Sequence, residues 1–285
     1  MKKIALTSLL AMVAATAANA NVINGNPLYK PAAGHFASVT SLETSMFESS
    51  DSIKSWGLGE EFAYGITDNL TIGMETSAAR LIDTAIGYNV DMETGAIENV
   101  DGNATLWMDF GLSLNYRVFN IDGWVLDAAA GYAVSPVGYR VSGFSETHSG
   151  FLDKESTDYS WKYGVSGGYM GETFTVAGHV YTEYLNSESF NWGDDGVHTI
   201  DLGIDGQYIL TDWLNLVAGI GYTGVLDSEA ENAGSWTGML GANFNIDETK
   251  FIGVYATTGL EHENGDSSWK LQKSMGLGVK FGIDF

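Results

Sequence analysis

The residues whose types suit acid–base or nucleophilic chemistry fall in three places. His179 stands four positions before Glu183, His148 adjoins Ser149, and His198 precedes Asp201 by three. If His179 and Glu183 lie on one extended strand, they are about 13 Å apart and each needs a partner from elsewhere. Oxygen ligands for calcium are a further option. Glu93, Glu98 and Asp101 cluster in one polar stretch, and Asp194 and Asp195 in another. Neither has the spacing of a dedicated calcium loop, so solvated acidic surface is the better reading. Solvated histidines carry no site by themselves, and no catalytic, metal or cofactor residue is assigned.

What must position these groups is a repeated strand. From Leu106 to Val118, Leu106, Met108, Phe110, Leu112, Leu114, Tyr116 and Val118 share one face. Trp107, Asp109, Gly111, Ser113, Asn115 and Arg117 share the other. Only a period of two separates them this way. The pattern recurs at Trp56–Ile66, Leu70–Ala79, Trp124–Ser135, Tyr159–Met170, Phe174–Leu185, Thr199–Leu210, Trp213–Val225, Trp236–Ile246, Phe251–Leu260 and Trp269–Phe285. Short links such as Thr67-Asp68-Asn69, Asn120-Ile121-Asp122-Gly123, Gly171-Glu172, Thr211-Asp212 and Asp247-Glu248-Thr249 supply hairpin turns. Long polar links near 48–55, 82–104, 138–158, 186–197, 227–235 and 261–268 alternate strictly with them. The order closes only with a further strand over His35–Phe47, whose alternation is poor. The expected fold is therefore all-β: a closed antiparallel transmembrane barrel of 12 strands, with short periplasmic turns and long extracellular loops.

The faces opposite the apolar ones carry Glu61, Glu75, Asp109, Arg117, Asp127, Lys162, His179, Glu183, Asp201, Asp205 and Lys280, which are expected to line the lumen. Trp56, Tyr64, Tyr116, Trp124, Tyr208, Trp213, Phe244 and Trp269 fall where aromatic girdles would meet the membrane interfaces. A charge facing lipid costs about 2–4 kcal/mol at the midplane for Lys or Arg and less for Asp or Glu. Glu60 and Lys273 break the apolar rule, and are expected only toward strand ends. A soluble barrel, the competing arrangement, would stay in solution without detergent and show no heat-dependent shift in gel mobility.

The ends and the composition agree with export. Lys2 and Lys3, an apolar run from Ile4 to Val13 and Ala18-Asn19-Ala20 have the order of a secretory signal peptide. The expected organisation is a signal over 1–20, a periplasmic lead over 21–33 and the barrel over 34–285. Of 13 Lys and Arg, two lie in the signal, leaving 11 against 36 acids and a mature charge near −25. Such a polyanion does not hold nucleic acid. With no cysteine, the chain folds without disulfides, and only three prolines suit long strands.

The last strand alternates Leu277, Val279, Phe281, Ile283 and Phe285 with Gly278, Lys280, Gly282 and Asp284. This ending, with hairpins such as Tyr64-Gly65-Ile66-Thr67-Asp68-Asn69-Leu70 and Leu210-Thr211-Asp212-Trp213-Leu214, resembles Gram-negative outer-membrane β-barrel proteins. The resemblance covers the mature chain at the level of the class. It implies location in the cell outer membrane after cleavage of the signal, contact with the lipid bilayer and lipopolysaccharide, and insertion by the barrel-assembly machinery. Phe281, Ile283 and Phe285 would be the assembly signal. Twelve strands lie between filled and open barrels. The expected function is a narrow porin-like channel for passive diffusion of small, preferably cationic solutes. A non-conducting barrel with loops for adhesion or envelope integrity is the alternative. An outer-membrane hydrolase is third, since proteases, phospholipases and lipopolysaccharide deacylases occur among such barrels, but the histidines above match none of their patterns.

Overall fold

A computed structural model describes residues 26–47, 55–90, 97–136, 138–141, 148–149, 157–186, 197–226, 234–261 and 272–285. Within these, side chains at 47, 79–90, 97–109, 135–141, 148–149, 157–158, 261 and 272–273 are outside the description. The expected signal over 1–20 lies wholly outside the described residues, as do Glu93, Asp194, Asp195 and Trp269.

The strands are β1 (Phe36–Phe47), β2 (Ser55–Gly65), β3 (Leu70–Val90), β4 (Ile97–Ile121), β5 (Trp124–Pro136), β6 (Gly138–Val141) and β7 (His148–Ser149). They continue as β8 (Thr157–Met170), β9 (Phe174–Asn186), β10 (Val197–Thr211), β11 (Leu214–Val225), β12 (Gly234–Asn245), β13 (Lys250–Glu261) and β14 (Gln272–Asp284). Twelve of them form one antiparallel ring in sequence order, closed where β1 pairs with β14. Closure leaves no strand edge, which a sheet in hydrocarbon requires. β6 and β7 are a small hairpin attached to the outer half of β4, from Ala104↔Val141 to Trp107↔Gly138.

The first strand, whose alternation is weak in sequence, pairs fully on both sides, with β14 over Ala37–Phe47 and with β2 over Phe36–Ser45. Two expected loops are corrected. Most of 82–104 is a continuation of the β3–β4 hairpin, paired out to Val90↔Ile97 with three register shifts. Thr84, Ile86, Tyr88 and Val90 keep a period-two sequence pattern there, of residues that suit strands. The stretch 138–158 likewise contains β6 and β7.

Local chemistry explains the tight rim. Between β4 and β5, Asp122 and Gly123 take φ of 51° and 82°. A two-residue turn with both residues left-handed matches the right-handed twist of its strands. Between β12 and β13 the Asp247 carboxylate accepts from the Thr249 amide at 2.8 Å, from the Thr249 hydroxyl and from Lys250 Nζ. The Thr249 amide is the main cause that holds this carboxyl down at about 2.

The barrel is apolar outside and polar within. Outward side chains include Leu112, Leu114, Ile204, Ile220, Leu240 and Leu277, with Leu240 68% exposed. Buried ones include Asn115, Arg117, Asp127, Gln207, Asn215, Asn243 and Lys280. In water this distribution would be costly; in lipid it is the stable one. Aromatic rings cluster near the ends of strands: Trp124 with Tyr169 and Phe174, Trp213 with Phe244, and Phe36 with Phe62 and Phe285 toward the turn rim. Tyr132 with Trp161 and Tyr222 with Trp236 stand toward the loop rim. Trp56, Tyr64, Tyr116 and Tyr208 are also exposed.

Candidate functional site: the barrel interior

The interior is built in two layers. The lower one is a floor at the turn rim. Interior residues near that rim, Thr71, Asn115, Arg117, Asp127, Thr175, Gln207, Asn215, Asn243 and Phe251, are all buried. The segment 26–34, preceding β1, fills the space they surround. Leu28 clusters with Val125 and Ala177, and Tyr29 packs against the cluster of Ala37 and Phe251. In ring order those contacts come from nearly opposite walls, so the segment crosses the mouth.

Polar bonds fix it there. Arg117 donates to the Leu28 carbonyl at 2.6 Å and makes a paired contact to Asp127, at 3.0 Å from Nε and 3.1 Å from Nη2. Lys30 Nζ donates to the carbonyls of Asn115 and Asn69 and stands 3.8 Å from Asp127 Oδ1. The Tyr29 hydroxyl donates to Asp284. Burial first, and Asp284 beside it second, push that phenol well above its usual range. Gly34 N donates to the Gly65 carbonyl at 2.8 Å. Gly65 permits this approach, because a Cβ there would stand 2.1 Å from the Ala32 carbonyl oxygen.

Lys30 also makes the floor pH-dependent. Burial is the main cause lowering its ammonium from 10.5 to about 8, with Asp127 pulling upward and Arg117 downward. A base with a depressed folded value is charged against the environment's preference below about pH 8. Between about 8 and 10.5 the unfolded chain binds more protons than the folded one, so this group makes stability rise with pH. Denaturant titrations in detergent at pH 7.5 and pH 10 should show a larger gain for the native chain than for Lys30→Met. Equal gains would remove Lys30 from the account.

The upper layer is a charged belt. Lys162 donates to Asp201 Oδ2 at 3.3 Å and lies over the Tyr181 ring. His179 stands between Asp201 at 3.7 Å and Asp205 at 3.5 Å, stacked on Tyr181. Gly203 provides the seat for that imidazole, since a Cβ there would stand 2.2 Å from its Cε1. Lys280 lies over Phe251 and Tyr255, within electrostatic reach of Glu61 and Asp205. Glu75 is close to both Glu61 and Lys162, and Glu183 to Lys162. Electrostatic influence also reaches between strands that are not neighbours, from Glu75 on β3 to Lys162 on β8 and from Lys280 on β14 to Asp205 on β10.

Of the residues expected to line the lumen, Arg117 and Asp127 lie at the floor, and Glu61, Glu75, Lys162, His179, Glu183, Asp201, Asp205 and Lys280 at the level of the belt. The Asp109 side chain is outside the description. Sequence reasoning missed Glu43, which accepts from Tyr255 at 3.3 Å and Thr257 at 2.9 Å. It also missed Tyr29 and Lys30. Glu43 was recoverable, because Ala37, Val39, Ser41, Glu43 and Ser45 keep interior parity once the first strand is accepted. The role of Tyr29 and Lys30 was not, because no periodicity says where a lead segment packs.

Of the other candidates, His198 meets the Tyr184 ring at 4.9 Å. His148 and Ser149 lie on β7, and Glu98 and Asp101 on β4, with side chains outside the description. Among the described residues no three His, Asp or Glu side chains gather as a metal site. Phe281 and Phe285 of the expected assembly signal face outward, 41% and 65% exposed, and Ile283 is half-buried. Phe285 is bonded to Phe36 in both directions through the backbone. Glu60 requires correction: it lies at the middle of β2, not toward its end, and its outward parity is shared with Trp56, Leu58 and Tyr64. It is tolerated because Ser38 and Thr40 on β1 donate to its carboxylate at 2.6 and 2.5 Å. The same hydroxyls account for the weak alternation of β1.

A closed ring of twelve antiparallel strands with a lipid-compatible exterior defines the fold class of outer-membrane β-barrels. Solved structures agree. An outer membrane channel from Pseudomonas putida F1 is 16% identical, covering 89% of this chain and 96% of its own, with a TM-score of 0.53. The NanC porin is 6% identical over 86% of this chain and 98% of its own, with a TM-score of 0.53. The translocator domain of the autotransporter NalP from Neisseria meningitidis is 13% identical over 99% and 96%, with a TM-score of 0.54. At these identities the likeness is one of fold. No family model and no curated protein matches the chain.

Proposed function

We propose that this chain is a narrow outer-membrane channel for passive diffusion of small solutes, with a preference for cations. The observation that carries this reading is the sign of the belt. Glu43, Glu61, Glu75, Glu183, Asp201 and Asp205 face an interior in which Lys162, Lys280 and His179 are the basic groups described at that level. Acidic rings raise the local concentration of cations and repel anions. Export through a cleaved signal over 1–20, insertion by the barrel-assembly machinery through Phe281, Ile283 and Phe285, and contact of the outer rim with lipopolysaccharide belong to the same proposal.

A second reading has an observation of its own. The packed floor of Leu28, Tyr29 and Lys30 favours a non-conducting barrel whose loops serve adhesion or envelope integrity.

Single-channel recording of the refolded mature chain in a planar bilayer, under a salt gradient, tests the first reading. Small discrete steps with a cation-selective reversal potential are expected, and Asp201→Asn with Asp205→Asn should move that potential toward zero. A reversal potential unaltered by the double substitution would dissociate selectivity from the belt. Inserted protein without steps would favour the second reading.

A further inference from the structure

The lipid-facing surface is uneven around the ring. On β10 to β14 the outward positions away from the strand ends carry no charge, with Leu202, Ile204, Leu216, Ile220, Leu240 and Val254 alternating with small residues such as Gly206, Ala218, Gly238 and Ala242. On β1 to β3 the outward set includes Ser38, Thr40, Glu60 and Thr76, and register places Thr40 and Thr76 on either side of Glu60. Glu60 lies four residues from Tyr64 and four from Trp56, both exposed near opposite ends of β2. With about 3.3 Å per residue and a strand tilt of about 40°, that is about 10 Å from each along the membrane normal. The carboxylate is therefore in the hydrocarbon midplane. Among the described residues no Lys, Arg or His side chain faces outward beside it.

Ser38 and Thr40 satisfy one lone pair on each oxygen of Glu60. Each carboxylate oxygen can accept a further bond, and lipid offers no donor. Carboxylates facing the membrane are rare for this reason and usually meet another protein group.

We propose that this patch is an interface through which two copies of the chain pair side by side in the membrane. The patch holds its own complement. It presents an acceptor, Glu60, flanked by hydroxyls, and Thr76 carries a hydroxyl that no bond to Glu60 occupies. A two-fold axis brings the same patch of both copies together, so an acceptor and donors on one surface are what a symmetric contact requires. Ser and Thr are also small enough for two sheets to approach closely, and polar contacts of this kind hold membrane proteins together. The inference rests on the transmembrane fold and is independent of whether the lumen conducts.

The chain has no cysteine, so single substitutions report proximity directly. Thr76→Cys protein in phosphatidylcholine–phosphatidylglycerol vesicles, oxidised with copper phenanthroline, is expected to form a disulfide dimer. Ile220→Cys, on the far wall, should yield several-fold less. Adding Glu60→Leu to Thr76→Cys should suppress the dimer, while Glu60→Gln, which keeps an acceptor, should retain part of it. Heat-modifiable gel mobility of every variant verifies folding. Equal cross-linking at 76 and 220, a dimer indifferent to Glu60→Leu, or a monomer at both positions would overturn the interface.

Discussion

Deleting residues 21–33 from the mature chain is expected to raise single-channel conductance several-fold while leaving cation selectivity in place. The segment 26–34 touches walls that are nearly opposite in the ring, through Leu28 with β5 and β9 and Tyr29 with the Ala37–Phe251 cluster of β1 and β13. It fills the part of the lumen where interior side chains are most deeply buried. None of its bonds belongs to the closing ladder, which runs through β1 and β14. The truncated barrel should therefore still fold, and its heat-dependent gel shift would verify that. Selectivity should persist because the charged belt lies above the floor and keeps its partners. Equal conductance with and without the segment would show that the constriction lies elsewhere, with the channel reading intact. Absence of steps in both proteins, each folded and inserted, would end the channel reading itself.

Asp127→Ala should cost about 3–5 kcal/mol, the usual range for removing one member of a buried ion pair. The Asp127 side chain is 4% exposed and answers two cations, Arg117 at 3.0 Å and Lys30 at 3.8 Å. Without it the guanidinium keeps only the Leu28 carbonyl as a described acceptor, and Lys30 only the carbonyls of Asn69 and Asn115. Burying such charges unmatched is what costs free energy; the pair itself contributes much less. The triple variant Asp127→Leu, Arg117→Met and Lys30→Met should accordingly lose less stability than Asp127→Ala alone. Denaturant unfolding in detergent, followed by tryptophan fluorescence, measures both. A triple variant as unstable as the single one would mean that the floor depends on the specific bonds rather than on charge balance.

Period-two alternation determined most of the fold by itself. Leu106–Val118 placed Arg117 and Asn115 opposite Leu114 and Tyr116, and the same logic distributed residues between lumen and lipid on strand after strand. This works because a strand has two faces and the two solvents differ strongly in polarity. The alternation of short and long links then ordered the strands, since hairpin turns need Asp, Asn and Gly locally, as at Asp122-Gly123. Where the rule weakened, in β1, the reason was chemical: Ser38 and Thr40 face outward because Glu60 is opposite them.

Tertiary structure alone decided the rest. The extension of β3 and β4 over most of 82–104 depended on the pairing of the two strands, which the many polar residues of that stretch concealed. The meeting of His179 with Asp201 and Asp205 depended on the register between β9 and β10. That Leu28, Tyr29 and Lys30 pack across the lower mouth depended on walls contributed by β1, β4, β5, β9, β13 and β14. Such a segment has no period to read, because its conformation is set by the walls it fills and not by its own neighbours.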